Sequence, residues 1–398
     1  MTDSRTKGLG VCGEPGECKS EAPIFHLVLR VFMRVCLVAP VPPFRGGISK
    51  YCYSLAKELE KRHELLLLSY KRQYPEFLYG KKSQTDPDFD RNQIAREFQH
   101  LSYDIDSANI FSWFETSRRI ATFNPDTVIL PWWVVYWTPM YLYFLHFLKR
   151  RGIRVVFLCI NVFEHEDNPF KKFLTKLILK KVDSIIVHSE QEKNQILEFN
   201  PMATVRKHLL PLFGYDARVA TRENGNLNLL FFGFVRPYKG LDTLLKAVGI
   251  LRNHDIALRI AGEFWKDKDE YTRLIDDLGI SGKVDIVDRY ISDEEMSSCF
   301  AWADLVVLPY KRTITSGVIA TAYGFGKPVL ATNVGGFHEV IRDGYTGKIV
   351  PPDDPESLAD GIVWFMTNRK IDFEGNISKF TSQNMSWNSL VDLIEAFD

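Results

Sequence analysis

The chain has 398 residues, of which 45% are hydrophobic and 25% charged, and its formal net charge is zero. This composition is typical of a globular protein of two or three domains and excludes a largely disordered chain. A neutral chain offers no global basic field to a polyanion, so we expect no nucleic-acid partner. The six cysteines form no C-x-x-C pair and no zinc-spaced cluster with histidine, which is typical of reduced thiols in a cytoplasmic protein.

The first 32 residues differ from the rest of the chain. They show no hydrophobic period, and they lack the basic start, apolar run and small-residue cleavage site of a signal peptide. From Met33 onward, the segment MRVCLVAP predicts a strand followed by a loop rich in proline and glycine. We therefore expect residues 1–32 to be a disordered, dispensable extension and the folded protein to begin near Met33.

Short apolar runs alternate with helix-like stretches along the remaining sequence. The first series of predicted strands comprises Arg34–Val38, Glu64–Ser69, Thr127–Leu130, Ile153–Ile160 and Ser184–Val187. The second series comprises Leu227–Phe232, Ala257–Ala261, Lys283–Val287, Leu305–Leu308, Pro328–Ala331 and Gly347–Val350. Because these runs are apolar without alternation and are separated by helices, we expect an α/β fold whose parallel sheets are covered on both faces.

One interruption of this series predicts the domain organisation. The stretch 214–226 is polar and has no clear period, so we interpret it as a linker between an N-terminal domain at 33–213 and a C-terminal domain at 227–384. Residues 385–398 carry a short helical pattern. Residues 70–106 predict an irregular polar insertion in the first domain.

The uncharged segment Thr127–Leu148 is about long enough to cross a bilayer as a helix. Pro131 and Pro139 interrupt it, and four aromatic residues crowd its middle. We interpret it as a buried strand, a loop and a helix with Thr138 as N-cap and Pro139 at the first helical position.

The candidate binding loops follow strands, because open parallel sheets bind ligands beyond the carboxyl ends of their strands. After the first strand, Gly46 and Gly47 precede a helix, where backbone amides can approach a phosphate. An ordinary tight turn would show the same pair. In the second domain, Arg236 and Lys239 lie in a short loop before a helix, which suits a diphosphate but also fits a solvated surface loop.

Two further loops carry polar or amide groups that could face the same cleft. Ser316, Gly317 and Val318 open a helix after the strand that ends at Leu308, so free amides would point at a ligand. His165 lies between Glu164 and Glu166 after a strong strand and is a candidate catalytic residue, although most exposed loop histidines are inert. Acidic pairs are too common in this chain for their spacing to indicate metal, so we assign no metal site.

The segments GFVRPYKGLDTLLKA, ADLVVLPY, FGKPVLATNVGGFHEVI and GYTGKIVPPDDPESLA occur in an order and spacing that resemble glycosyltransferase family 4. The resemblance extends from Met33 to the C-terminus. It implies the GT-B fold, in which two Rossmann-like domains face each other across a cleft. It also implies retaining transfer from a nucleotide-diphospho-sugar donor without a cofactor or required metal, and a terminal helix that returns to the first domain.

The resemblance also implies roles for individual residues. Arg236 and Lys239 match the basic pair at the donor diphosphate. The donor-binding amides belong to Ser316, Gly317 and Val318, and Gly46 and Gly47 match the glycine-rich loop that faces donor or acceptor.

Three positions depart from the family pattern. Family members commonly have glutamates where this chain has Thr313, near the transferred sugar, and Thr321, near the ribose. Ile160 stands where many relatives have a histidine, and His165 is five residues further on. We retain Thr313 and His165 as candidate catalytic residues and Thr321 as a donor-binding one. The departures leave two alternatives, a catalytically impaired nucleotide-sugar-binding protein and a nucleotide-sugar epimerase.

Residues 169–181 predict a basic amphipathic helix in the first domain. Five apolar residues recur at spacings of three and four, and five lysines surround them: Phe170, Phe173, Leu174, Leu177 and Ile178, with Lys171, Lys172, Lys176, Lys180 and Lys181. Such a helix can lie on an anionic bilayer, which suits a lipid-linked acceptor, whereas packing on its own sheet requires the same stripe. We expect a cytoplasmic protein with possible peripheral contact at the inner membrane face, and a lipid-linked or saccharide acceptor.

Overall fold

The computed structural model describes residues 32–75, 83–86, 94, 96–162, 168–213, 225–265 and 268–397. Residues 1–31 of the predicted extension, most of the predicted linker and His165 lie outside the described residues. The compact unit that contains both sheets begins at Phe32.

Seven parallel strands form the first sheet, in the order β3-β2-β1-β4-β5-β6-β7. Its strands are β1 (Arg34–Val38), β2 (Glu64–Arg72), β3 (Leu101–Asp106), β4 (Thr127–Trp132), β5 (Arg154–Cys159), β6 (Ser184–Val187) and β7 (Thr204–Lys207). Its helices are α1 (Gly47–Glu60), α2 (Ile110–Phe123), α3 (Thr138–Lys149), α4 (Pro169–Leu179) and α5 (Glu190–Phe199). The central strands are buried along almost their whole length, because helices cover both faces of the sheet.

Six parallel strands form the second sheet, in the order β10-β9-β8-β11-β12-β13. They are β8 (Leu227–Phe232), β9 (Ile256–Ala261), β10 (Val284–Val287), β11 (Leu305–Leu308), β12 (Val329–Thr332) and β13 (Gly347–Val350). The helices after β8 are α6 (Leu241–Ile250), α7 (Lys268–Asp277), α8 (Asp293–Trp302), α9 (Gly317–Gly324), α10 (Phe337–Val340), α11 (Pro355–Thr367), α12 (Phe373–Asn384) and α13 (Trp387–Glu395). The predicted α/β fold with two Rossmann-like parallel sheets is confirmed.

The strand order of each sheet reverses direction at its first strand. In the first sheet β1 lies between β2 and β4, and in the second β8 lies between β9 and β11. Loops that leave these neighbouring strands in opposite directions open a crevice at the carboxyl edge, where ligands bind in such sheets. A ligand site is therefore expected at the loops after β1, β8 and β11.

Helix α13 packs on α1 of the first domain, although it follows the second sheet in sequence. Arg62 donates to the carboxylate of Asp392 at 2.7 Å, and Trp387 Nε1 donates to the carbonyl oxygen of Leu212 at 2.6 Å. Helix α13 is therefore held against the first domain.

Two local predictions were wrong. The predicted insertion at 70–106 contains the end of β2 and all of β3, which forms an edge strand with half-exposed polar residues and so lacks an apolar run. Thr138 does not cap α3 and Pro139 is not its first residue, because a 3₁₀ turn at Val135–Trp137 leads directly into the helix. Trp137 occupies the cap position, and Thr138 is the first helical residue. Thr127–Leu148 is a strand, this turn and a helix, and no described helix is long and apolar enough to cross a bilayer.

Candidate functional site

A cavity of about 380 Å³ lies between the two sheets, at the carboxyl ends of their strands. The first domain contributes residues after β1 and β5, and the second contributes loops after β8, β9, β10 and β11. The candidate site residues predicted from the sequence that line it are Gly46, Gly47, Lys239, Thr313, Ser316, Gly317, Val318 and Thr321. Loops that lie up to about 270 residues apart in sequence therefore share one cavity.

Gly46 precedes α1 with a φ of 102°, which residues with side chains rarely adopt. No atom lies within 4 Å of the place where a Cβ of Gly46 or Gly47 would be. The backbone of this loop therefore faces open space, and a ligand can approach the N-terminus of α1 closely.

Lys239 is a buried cation in the wall of the cavity, and 8% of its surface is exposed. Its ammonium lies 5.4 Å from the centre of the Tyr310 ring and would be 3.2 Å from a Cβ on Gly233, which has a φ of 92°. Burial lowers the pKa of Lys239 to about 8. Because burial removes water from the ammonium, an anion bound beside it would stabilise its charged form.

Arg236 takes a different place from Lys239. Its guanidinium lies 4.0 Å from the centre of the Trp265 ring, and Arg236 is absent from the cavity lining. The structure thus brings Lys239, but not Arg236, directly to the cavity wall, and Arg236 would have to leave Trp265 to reach a ligand there.

The N-terminus of α9 faces the cavity. Ser316 is its N-cap and accepts a hydrogen bond from the N–H of Val318 at 3.3 Å. The first-turn residues Gly317 and Val318 both line the cavity. The free amides of a helix's first turn carry a partial positive charge, so this end of α9 is suited to an anionic ligand.

Thr313 and Thr321 both lie in the cavity wall with little exposure. The hydroxyl of Thr313 donates to the carbonyl oxygen of Thr315 at 2.9 Å, and that of Thr321 donates to the carbonyl oxygen of Gly317 at 3.0 Å. Both hydroxyl protons are therefore directed at the backbone. Neither side chain can carry a negative charge, so these positions cannot stabilise a cationic transition state as carboxylates would.

Sequence reasoning missed much of the remaining lining. Residues Lys50, Tyr51, Glu263, Arg289, Tyr290 and Met296 also line the cavity. Arg289 and Tyr290 lie in the loop that follows β10, so the rule that placed the other loops at strand ends could have found them. Lys50 and Tyr51 lie inside α1, where a helical pattern gives no sign that one turn faces a cleft. Within the described part of the chain, no group of three or more His, Cys, Asp or Glu side chains could hold a metal ion.

Two family models match the chain, one in each domain. Residues 45–213 match "Glycosyltransferase Family 4", and residues 226–368 match "Glycosyl transferases group 1". The two matches adjoin, and together they include every candidate site residue named from the sequence.

Curated relatives match about half of the chain. A D-inositol 3-phosphate glycosyltransferase of Catenulispora acidiphila is 31% identical over 207 residues, which is 46% of this chain and 49% of the relative. An alpha-D-kanosaminyltransferase of Streptomyces kanamyceticus is 24% identical over 217 residues, 51% of this chain and 56% of the relative. The chain thus spans about half the length of these curated relatives.

Solved structures share the complete fold. HepE of Anabaena in complex with UDP has a TM-score of 0.68 at 15% identity and covers 91% of this chain and 98% of its own. Sucrose-phosphate synthase of Thermosynechococcus elongatus has a TM-score of 0.67 at 16% identity, with 91% and 97% covered. With the two family models in their domains and the cleft between two parallel sheets, these similarities confirm the GT-B fold, and the chain belongs to glycosyltransferase family 4.

Proposed function

We propose that this protein transfers a sugar from a nucleotide-diphospho-sugar to an acceptor, with retention of anomeric configuration. The observation that carries the proposal is the pairing of the buried Lys239 ammonium with the N-terminus of α9 in one cavity. Both groups favour an anion, and together they can hold a diphosphate. Solved neighbours were crystallised with UDP and with UDP-glucose, and the curated relatives named above are sugar transferases, which supports this choice of donor.

The same groups suggest how transfer proceeds. The bond between the anomeric carbon and the diphosphate oxygen breaks, a bond from that carbon to the acceptor oxygen forms, and the acceptor's proton passes to the departing diphosphate. Lys239 and the α9 amides stabilise the negative charge that develops on the diphosphate. Thr313 and Thr321 cannot contribute a carboxylate, so in this proposal leaving-group stabilisation supplies the main electrostatic effect and no metal is needed.

A thermal-shift screen against UDP, GDP and ADP and their glucose and galactose esters tests the donor, since a ligand of the folded state raises the melting temperature. A nucleotide sugar that binds is then incubated with the protein, and release of the nucleotide is followed. Lys239→Met should strongly reduce the shift, and Lys246→Met, which changes an exposed lysine of α6, should keep it. No shift with any of the panel would contradict the proposal.

The threonines at 313 and 321 also support a second candidate, a nucleotide-sugar-binding protein without efficient transfer. The two candidates differ in one measurement. Binding of a nucleotide sugar with no release of nucleotide, in the presence of saccharide and lipid-linked acceptors, would favour the binding protein.

The acceptor is proposed to be a saccharide or a lipid-linked molecule, reached by peripheral contact with the inner face of a cytoplasmic membrane. Helix α4 supports this contact. Phe170 is 66% exposed, Phe173 61% and Leu177 36%, whereas Ile178 is fully buried. The predicted stripe of five apolar residues on one face is therefore divided, and packing on the sheet accounts for Ile178 but not for the exposed phenylalanines.

A second exposed apolar group lies on α2. Ile110 is 63% exposed, Phe111 75% and Phe114 52%, all in its first two turns. Helices α2 and α4 both follow a strand and begin at the carboxyl edge of the first sheet, and each packs beside α3. Exposed aromatic side chains beside lysines are suited to the interface of an anionic bilayer.

Cosedimentation with liposomes tests membrane contact. Wild type should pellet with anionic liposomes at low salt, and much less with neutral liposomes or at high salt, because lysine attraction to lipid is screened. Changing the five lysines at 171, 172, 176, 180 and 181 to glutamine should reduce pelleting, as should Phe170→Ser with Phe173→Ser. Equal, negligible pelleting of wild type with both kinds of liposome would assign α4 to packing alone.

A further inference from the structure

The chain leaves the first sheet at the end of β5, and the residues that follow immediately form part of the cavity wall. Cys159 is the last residue of β5, and Ile160 and Asn161 line the cavity. The N–H groups of Ile160 and Asn161 still donate to the carbonyl oxygen of Trp132, at 2.8 and 3.5 Å, but the pairing of β4 with β5 ends at Cys159. The hydrogen bonds made by the next peptide, Asn161–Val162, therefore determine the position of this part of the cavity wall.

Both polar backbone groups of Val162 are held by side chains. The N–H of Val162 donates to Glu192 Oε1 at 3.1 Å, and its carbonyl oxygen accepts from Trp132 Nε1 at 3.2 Å. Val162 is 1% exposed and Glu192 is completely buried. Glu192 and Trp132, from different elements, thus hold the two polar backbone groups of Val162, where no strand neighbour remains.

Glu192 has a local role that does not require this contact. Ser189 is the N-cap of α5, and its hydroxyl accepts from the N–H of Glu192 at 3.2 Å. Glu192 Oε2 accepts from the Ser189 hydroxyl at 3.0 Å and from the N–H of His188 at 3.3 Å. A glutamate in the first turn normally completes a cap on the surface, with its carboxylate near water. Here it is buried, and its other oxygen reaches a residue 30 positions away.

The first turn of α5 also contacts the second domain. The N–H of Glu190 donates to the carboxylate of Glu339 at 2.9 Å. A Cβ on Gly336 would lie 2.9 Å from the Cβ of Ser189. This turn is therefore held between the Val162 peptide on one side and the second domain on the other.

We infer that Glu192 is a positioning residue: it holds the Asn161–Val162 peptide, and with it the first domain's part of the cavity wall, without touching the substrate. The inference rests on the proposed function for its effect on transfer. Glu192 is absent from the cavity lining, so it acts through the backbone that it binds.

Glu192→Gln tests the inference. The amide keeps one acceptor oxygen, so it cannot satisfy the donors of Val162, His188 and Ser189 together, and its NH₂ faces at least one of them. We expect amide hydrogen exchange of peptides covering Ile160–Val162 to become at least tenfold faster. The KM for the nucleotide sugar should change by less than about twofold, because Lys239 and the α9 amides lie on the second domain, and kcat should fall by about ten- to hundredfold.

Asp354→Asn is the matched control. Asp354 is the N-cap of α11 and accepts from the N–H of Ser357 at 2.9 Å, so the same change from carboxylate to amide alters a cap that does not reach the cavity. This variant should keep wild-type kcat and wild-type exchange at Ile160–Val162.

Unchanged exchange at Ile160–Val162, or an unchanged kcat in a folded Glu192→Gln variant, would overturn the inference. If that variant fails to fold, Trp132→Phe removes the other hydrogen bond to Val162 and should produce the same pattern with smaller effects. If wild type shows no turnover with any donor, the proposed function fails, and the exchange measurement alone decides whether Glu192 holds this peptide.

Discussion

The carboxylate of Glu339, in the second domain, accepts a hydrogen bond from the backbone N–H of Glu190, in the first domain, at 2.9 Å. The same carboxylate lies 2.9 Å from the ammonium of Lys207. A free N–H in the first turn of a helix is stabilised by a negative charge, so Glu339 joins the domains at the start of α5. This contact lies beside the loop at 313–316, because Gly336 N–H donates to the carbonyl oxygen of Ile314.

Glu339→Ala should lower the free energy of unfolding by about 1.5–3 kcal/mol, the range for hydrogen bonds to charged groups. Lys207→Met should cost less than about 1 kcal/mol, because Lys207 is 34% exposed and surface ion pairs contribute little. Urea denaturation of both variants measures the difference. Equal effects would show that the ion pair, and not the contact with the helix, provides the stabilisation.

Nucleotide binding should depend on the charge of Lys239. Burial lowers the pKa of this ammonium to about 8, so the free protein loses the cation as pH rises above that value. The terminal phosphate of a nucleoside diphosphate is already fully ionised there, since the second pKa of a phosphoryl group is about 6. The affinity for UDP, or for the nucleotide selected by the screen, should therefore weaken by up to about tenfold per pH unit above 8. Calorimetry from pH 7 to 9 measures this dependence.

Lys239→Met serves as the control for that titration. It should bind the nucleotide weakly and with the same affinity at pH 7 and pH 9. A wild-type affinity that does not change over this interval would show that the ammonium at 239 does not bind the diphosphate.

Arg236 is proposed to bind the donor diphosphate after leaving the ring of Trp265. Arg236→Ala should then weaken nucleotide-diphosphate binding by about 1.5–3 kcal/mol, the contribution of a charged hydrogen bond. Arg252→Ala, which removes an exposed arginine near the end of α6, should have no effect. Wild-type affinity of the Arg236→Ala variant in calorimetry would show that Arg236 does not bind the diphosphate and only contacts Trp265.

The C-terminal helix should depend on one buried carboxylate. Glu395 Oε1 lies 2.7 Å from Arg62 Nη2 and 2.9 Å from His63 Nε2, and these three side chains are 10%, 7% and 1% exposed. Glu395→Gln should lower the free energy of unfolding by about 3–5 kcal/mol, because it leaves the Arg62 charge buried with a weaker partner.

Asp392→Asn offers a control on the same arginine. Asp392 binds Arg62 at 2.7 Å but is 61% exposed, so its loss should cost less than about 1 kcal/mol. Thermal or urea denaturation compares the two. If both variants match wild type, α13 is held by its apolar face alone.

Local patterns were sufficient for most of the fold. The apolar run at Leu227–Phe232 predicted β8 with its observed bounds, because a strand buried on both faces has an apolar side chain at nearly every position. The edge strand β3 has polar residues on its exposed side, so LSYDID gave no such run and was interpreted as part of an insertion. Edge strands are less buried and so contain more polar residues, and their sequences therefore predict a strand less clearly.

The site divides in a similar way. Gly46, Lys239 and Ser316 follow strands in sequence, so the rule for parallel sheets predicted their loops without coordinates. The sequence could not show that Arg236 stacks on Trp265, since that contact depends on the path of a neighbouring loop after β9.

By itself, the sequence determined the alternation of strands and helices, their division into two series and the loops that carry the donor-binding candidates. These features depend on the side-chain period of each element and on residues adjacent in the chain. Tertiary structure decided that Lys239 is buried beside Tyr310, that the hydroxyls at 313 and 321 bind backbone, and that Glu192 reaches Val162. Those contacts depend on how loops and helices are placed by the packing around the sheets. The hydrophobic period of a single element does not predict that placement.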